Sequence, residues 1–186
     1  MLLGEFYAYT GLFSFGLTWL AVFYVLHKNP REFNKSISHH AAKNLKAYRL
    51  FAIIMSLALF SLAIYVLLFL APTLNLHIFI VSLLVVAIVM ELLTTWIPLT
   101  DDRKFHPHAV LSNSTALLMP LITAGMIVFS QLNKVALVVA YVGLVTMIGL
   151  LIVFFTIQRA RKMYLIYQSI YVVAFQLTII LVPFLI

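Results

Sequence analysis

Six runs of about twenty apolar residues, joined by connections too short to hold a domain, constrain this chain more than any motif in it. The runs are Phe6–Leu26, Leu50–Leu70, Leu76–Ile97, Ala109–Phe129, Val135–Ile157 and Tyr164–Ile186. A run of that length crosses the hydrocarbon core of a bilayer as a helix. An open sheet leaves its edge unsatisfied in lipid, and the alternation of a barrel strand is absent, so helices are the remaining solution. Of the 186 residues, 65% are hydrophobic and 9% charged, where a soluble domain carries about 45–50% and about 25%. The expected fold is all-α: an integral membrane protein, an up-down bundle of six transmembrane helices forming a single domain over residues 1–186. Short connections make sequence neighbours antiparallel neighbours.

The charges sort by connection. Lys28, Arg31, Lys35, Lys43, Lys46 and Arg49 fall in the first, Arg103 and Lys104 in the third, and Arg159, Arg161 and Lys162 in the fifth, against Lys134 alone on the other side. This asymmetry predicts that both termini lie outside and that connections 27–49, 98–108 and 158–163 are cytoplasmic, in a prokaryotic plasma membrane. The competing reading is an anion-binding surface on the outer face. Basic residues so placed point to anionic lipid headgroups as partners and not to nucleic acid. The N-terminal Met-Leu-Leu-Gly-Glu5 has no basic residue ahead of the first apolar run, which argues for a retained helix over a cleaved leader. There is no cysteine, which excludes disulfides, thiolate nucleophiles and cysteine-ligated metal centres.

The stretch from Glu91 to Thr115 holds three of the five carboxylates and two of the six histidines. Glu91 lies seven residues before Pro98, roughly 10 Å into its helix. An ionisable group at that depth faces the bundle interior or a wet cavity. Thr94 and Thr95 share its face at i+3 and i+4. Ser112, Asn113, Ser114 and Thr115 open the fourth segment at a comparable depth. Together with His106 and His108 they outline a polar pocket between segments three and four, open to the cytoplasmic side. The alternative is a structural clamp, with Glu91 protonated or paired to Arg49.

His106, His108 and Asp101 are the candidates for a metal, since imidazole and carboxylate suit zinc with a water left over for hydrolysis. No pair of ligands recurs at i and i+4 on a helix, and no histidine lies deep enough for haem. The reading is therefore capping or surface histidines, no metal and no cofactor. Asp101 suits a helix cap as well as acid–base work. Ser36–Ala42 is too polar to span and is expected to lie in the interface as a short amphipathic helix. Gly143 and Gly149 are expected packing sites, and Pro120 and Pro183 expected kinks. No phosphate-binding glycine loop, nucleophile elbow or HExxH pattern is present.

The order of signals resembles one family. The first connection has Ile37-Ser-His-His-Ala-Ala, then Arg49-Leu-Phe. The third has Ile97-Pro98, followed by His106, His108 and Ala116. The fifth has Gln158-Arg159, then Gln168 and Tyr171 in the last helix. In this order the chain resembles the DRAM/Frag/Sfk-type six-helix membrane proteins and their small prokaryotic relatives. The resemblance implies a role in lipid or membrane organisation without an established reaction. His39 stands where that family has an acidic residue, and Gln158 where it has Glu. Phe105-His-Pro-His-Ala109, with Arg159 and Arg161, also resembles the motifs of membrane lipid phosphatases. The catalytic histidine and aspartate of those enzymes would fall on Gln168 and Val172, so a relative of that kind would be inactive.

Three functions follow as expectations. The first is a lipid-interacting membrane protein without enzymatic activity, in which Glu91 and Asn113 bind a headgroup or set packing. The second is a metal-dependent membrane hydrolase acting on a lipid through His106, His108, Asp101 and Glu91. The third is a proton-coupled small-molecule carrier that titrates Glu91. Small-residue faces also make a homo-oligomer an expectation.

Overall fold

The computed structural model of the chain describes residues 2–29, 32–98 and 106–186, the side chains of Leu2, Leu3 and Glu5 excepted. Six helices are long and apolar enough to cross a membrane. They are α1 (Leu2–Lys28), α3 (Leu45–Thr73), α4 (Ile78–Trp96), α5 (Pro107–Phe129), α6 (Lys134–Thr156) and α7 (Tyr164–Leu181); α2 (Ile37–Ala42) is a short helix in the first connection. The protein is thus an all-α integral membrane protein with a six-helix bundle. Each long helix packs on its sequence neighbour, and α7 also meets α1 and α5.

Local chemistry sets the ends. Asn44 caps α3 by accepting from Lys46 and Ala47, which starts this helix five residues ahead of the apolar run. Near its far end Pro72 supplies no backbone N–H. Over Val66–Leu70 the helix widens to a π turn, in which Ala71 N–H reaches the carbonyl of Val66. His77 caps α4 and His106 caps α5, each through a ring nitrogen that accepts a backbone N–H. Pro120 stays inside α5, and Pro183 opens a 3₁₀ turn, Val182–Leu185, after α7.

The first and fifth connections meet at one end of the bundle. Leu165 N–H donates to Phe33 O at 2.9 Å, and Ile37 N–H donates to the Gln168 side-chain oxygen at 3.0 Å. At the other end Asn133 donates to Leu185 O, and the His77 and Phe129 rings stack 5.6 Å apart. This alternation is the up-down order.

The outward faces are as apolar as the core: Phe60 is 69%, Val128 71% and Val145 67% exposed. With lipid outside, apolar burial does not favour one helix pairing over another, so close packing and interhelical hydrogen bonds decide. The main core gathers Tyr65, Ile80, Leu84, Ile122, Met126, Met147, Phe175 and Ile179. A second cluster, Val22, Val25, Ile37, Phe51, Met55 and Leu165, seats α2 against α1, α3 and α7. Hydrogen bonds cross between helices at Ser61–Thr10 O (2.8 Å), Tyr65–Ile179 O (2.9 Å), Tyr48–Thr95 O (2.9 Å) and Trp96–Ser56 (3.0 Å). Three glycines sit where helices touch: Gly11 against Tyr65, Gly125 against Ile80 and Gly143 against Thr178. A Cβ on Gly125 would lie 2.2 Å from Ile80 Cδ1, and one on Gly143 2.0 Å from Thr178 Oγ1. Gly149 faces open space instead, so the expected packing role fails there.

Candidate functional site

Helix α4 brings Glu91 to a cavity of about 170 Å³. Its polar wall is Glu91, Ser112, Asn113, Thr115 and Gln168, with the Tyr164, Tyr167 and Tyr171 rings beside it. Its apolar wall is Leu117, Met119, Leu150, Leu151, Phe154 and Phe155. Leu117 is 55% and Phe155 59% exposed, so this inner cavity reaches the lipid-facing surface of the bundle.

Two further spaces adjoin it. Toward the end that carries the first and fifth connections lies a mouth of about 430 Å³, lined by Asn34, Lys35, Ser36, Ser38, His39, His108 and Arg161 among others. It shares Ser112, Asn113, Phe154, Tyr164 and Gln168 with the inner cavity. Further in lies a space of about 70 Å³ bordered by Ser14, Thr18 and Gln176. Glu91, Thr115, Met119 and Val172 line both this space and the inner cavity. The three form a series from the basic end of the bundle towards its middle.

The side chains singled out from sequence divide into two groups. Glu91, Asn113 and Thr115 share the inner cavity. Among the described residues, none hydrogen-bonds to the Glu91 carboxylate or the Asn113 amide, and Arg49 makes no ion pair with Glu91. Thr94 and Thr95 are buried but do not line the cavity, and their hydroxyls donate to Met90 O and Glu91 O of their own helix, both at 2.8 Å. The Thr115 hydroxyl likewise donates to Leu111 O at 3.0 Å. The walls also differ from a pocket between the third and fourth segments: α4 contributes Glu91, while α5, α6 and α7 supply the rest.

His108 lines the mouth, and its Nδ1 lies 2.6 Å from Ile97 O, which ties the start of α5 to the end of α4. His106 caps α5 by accepting from His108 N–H at 3.3 Å. His40 is fully buried, with Nδ1 2.7 Å from Ser36 O and Nε2 accepting from Glu32 N–H at 3.0 Å. One nitrogen donates and the other accepts, which defines a neutral ring used as a brace. His39 faces the mouth, and burial, then Lys35 and Lys43, hold its pKa below the ordinary histidine value. Among the described residues no three His, Asp or Glu side chains converge on one point. Asp101, with Asp102, Arg103 and Lys104, lies outside the described residues.

Tyr164, Tyr167 and the aromatic wall of α6 line the pocket although hydropathy and charge do not single them out. Gln168 and Tyr171 entered only through the family resemblance. Gln168 holds α2 through Ile37 N–H, and the Tyr171 hydroxyl donates to Ala116 O across to α5. A polar or aromatic residue every three to four positions from Tyr164 to Tyr171 was the available signal. Trp19, Gln176 and Thr18 form another bond series, with Trp19 Nε1 donating to Gln176 at 3.1 Å and Gln176 donating to Thr18 at 3.3 Å. Comparison of the chain with models of known protein families, with curated proteins and with solved structures finds no match.

Proposed function

We propose that this protein binds an amphiphilic lipid, without catalysing a reaction, in the cavity between α5, α6 and α7. One observation carries the reading: the inner cavity joins uncommitted polar groups, Glu91 and Asn113, to an apolar wall that opens on the lipid side at Leu117 and Phe155. Its size supports a chain segment and not a whole molecule. About 170 Å³ is close to the roughly 150 Å³ cavity that admits a benzene-sized apolar group. A longer chain would continue into the bilayer past Phe155, and a headgroup would rest in the mouth. Eleven basic residues on one side against Lys134 on the other support a mouth on the cytoplasmic face with both termini outside, and a prokaryotic plasma membrane belongs to the same proposal. Kinship with DRAM/Frag/Sfk-type proteins belongs to the same proposal.

The test is photolabelling in nanodiscs with a phospholipid that carries a diazirine in mid-chain. The expected result is labelling concentrated at Leu117, Leu150, Leu151 and Phe154, and reduced there by Leu151→Trp, which fills the space. Labelling spread evenly over outward residues such as Val138, Val145 and Ile152 would mean ordinary boundary lipid and end the proposal.

A second reading draws on one observation, that Glu91 lines both the inner cavity and the deeper space. It is a carrier that moves a proton with its cargo through Glu91. Proton leak or uptake in liposomes that vanishes in Glu91→Gln would favour it over the first reading.

A further inference from the structure

The mouth contains two cations that need not be there to orient the protein. Lys35 is half-buried and comes from the first connection, and Arg161 comes from the fifth, 126 positions on in sequence. Backbone and side-chain bonds hold the first connection to the start of α7, which directly follows the fifth: Leu165 N–H to Phe33 O, and Ile37 N–H to Gln168. The lining between them is rich in small polar side chains, Asn34, Ser36, Ser38 and Asn113, and among the described residues that line the mouth there is no carboxylate. Lys28 and Lys46, exposed like Arg161, lie at the same end but do not line the mouth. A topology signal requires basic residues on one side; it does not require two of them to converge on a lined cavity with hydroxyl donors.

Two cations with short hydroxyl and amide donors make a site for a compact oxyanion. Phe154 and Tyr164 line both the mouth and the inner cavity, so a ligand held at its anionic end meets the apolar wall within the same space. We propose that Lys35 and Arg161 clamp the phosphate of a membrane lipid whose chain passes Phe154 into the inner cavity. This rests on the amphiphile reading above and adds the ligand's chemical class.

Native mass spectrometry of the purified full chain in detergent tests this, with three probes. Phosphatidylglycerol carries phosphate and chains, diacylglycerol with the same chains carries no phosphate, and glycerol 3-phosphate carries no chain. The expected result is retention of phosphatidylglycerol at least about tenfold above diacylglycerol, since two charge-assisted contacts give at least that ratio. Lys35→Ala/Arg161→Ala should bring the two within about twofold, and Lys35→Arg/Arg161→Lys, which keeps both charges, should restore the preference. Lys28→Ala/Lys46→Ala removes equal charge outside the mouth and should leave it unchanged. Equal retention of phosphatidylglycerol and diacylglycerol by the wild type would overturn the phosphate site and spare the amphiphile reading. Glycerol 3-phosphate retained as well as phosphatidylglycerol would show a phosphate site for a soluble ligand and overturn the lipid. A preference that survives in Lys35→Ala/Arg161→Ala but falls in Lys28→Ala/Lys46→Ala would show diffuse surface attraction and overturn the clamp.

Discussion

Gly143→Ala should destabilise the bundle by about 1–3 kcal/mol, and Thr178→Ala should return most of that loss. The magnitude follows from the contact between α6 and α7. An alanine Cβ at position 143 would sit 2.0 Å from Thr178 Oγ1, 3.2 Å from Thr178 Cβ and 3.5 Å from Ala174 O. Thr178 Oγ1 is itself bonded to Ala174 O at 2.7 Å, on a residue only 2% exposed. Either Thr178 leaves its rotamer, at about 0.5–1.5 kcal/mol, and gives up a bond of about 0.6 kcal/mol in a membrane interior, or the helices part by more than an ångström. With Thr178→Ala the 2.0 Å contact is gone and a tight 3.2 Å contact is what is left, so the double variant should lie within about 1 kcal/mol of Thr178→Ala alone. The assay is a double-mutant cycle on reversible unfolding in mixed micelles of dodecyl sulfate. Additivity within about 0.5 kcal/mol would refute the argument that the steric contact at Thr178 sets the spacing of these helices. The same variant reports on the cavity, because Leu150 and Phe154 lie two and three turns further along α6. Parting α6 from α7 at Gly143 should also weaken chain labelling at Phe154.

Two more outcomes follow from the mouth. Gln168→Ala removes the acceptor of Ile37 N–H, a loss of about 1–3 kcal/mol for a buried donor left unpaired; amide exchange over Ile37–Ala42 should speed up while exchange in α4 is unchanged, and equal rates across α2 in the two proteins would refute it. His39 is held below its usual pKa by burial first and by Lys35 and Lys43 next, against Glu32, which raises it. The unfolded chain then binds the proton more readily than the folded one, so this contribution to stability is present above about pH 6.5 and is lost as the pH falls through the folded value. Stability against unfolding should fall less between about pH 7.5 and 5.5 in His39→Gln than in the wild type, and an identical slope in both would show that His39 does not carry the effect.

The spans were legible because each is a long, mostly apolar run, and lipid leaves the backbone no option but a helix. Their ends were less so, since a cap is a local contact outside the hydropathy signal. Asn44 starts α3 among charged residues, and His106 starts α5 just before Pro107. The π turn at Val66–Leu70 had a cue in Pro72, but a proline near a helix end serves equally well as a simple stop. Glu91 and Asn113 were legible as cavity residues because a charge and an amide at that depth have few alternatives. Which helices would face them was not. Neighbours in sequence suggest a pocket between α4 and α5, whereas the ring closes through α7, which meets both α5 and α1.

Hydroxyl count misleads about a membrane site for a physical reason. In a helix interior Ser and Thr can donate to the carbonyl one turn back, and Thr18, Ser56, Ser82, Thr94, Thr95 and Thr123 all do. A hydroxyl satisfied in that way presents little to a ligand, so a cluster such as Thr94-Thr95 signals helix chemistry more than binding. Asn113 and Glu91 have no such local bond among the described residues, and both line the inner cavity. Histidine divides on the same principle. His40, His77 and His106 accept backbone N–H groups and act as braces or caps. Among the described residues His39 has no such bond through its ring; it lines the mouth beside Lys35, together with His108, whose Nδ1 is taken up by Ile97 O. In this bundle the side chains available to a ligand are those whose own backbone leaves them unsatisfied, and they gather where Lys35 and Arg161 meet the apolar wall of α6.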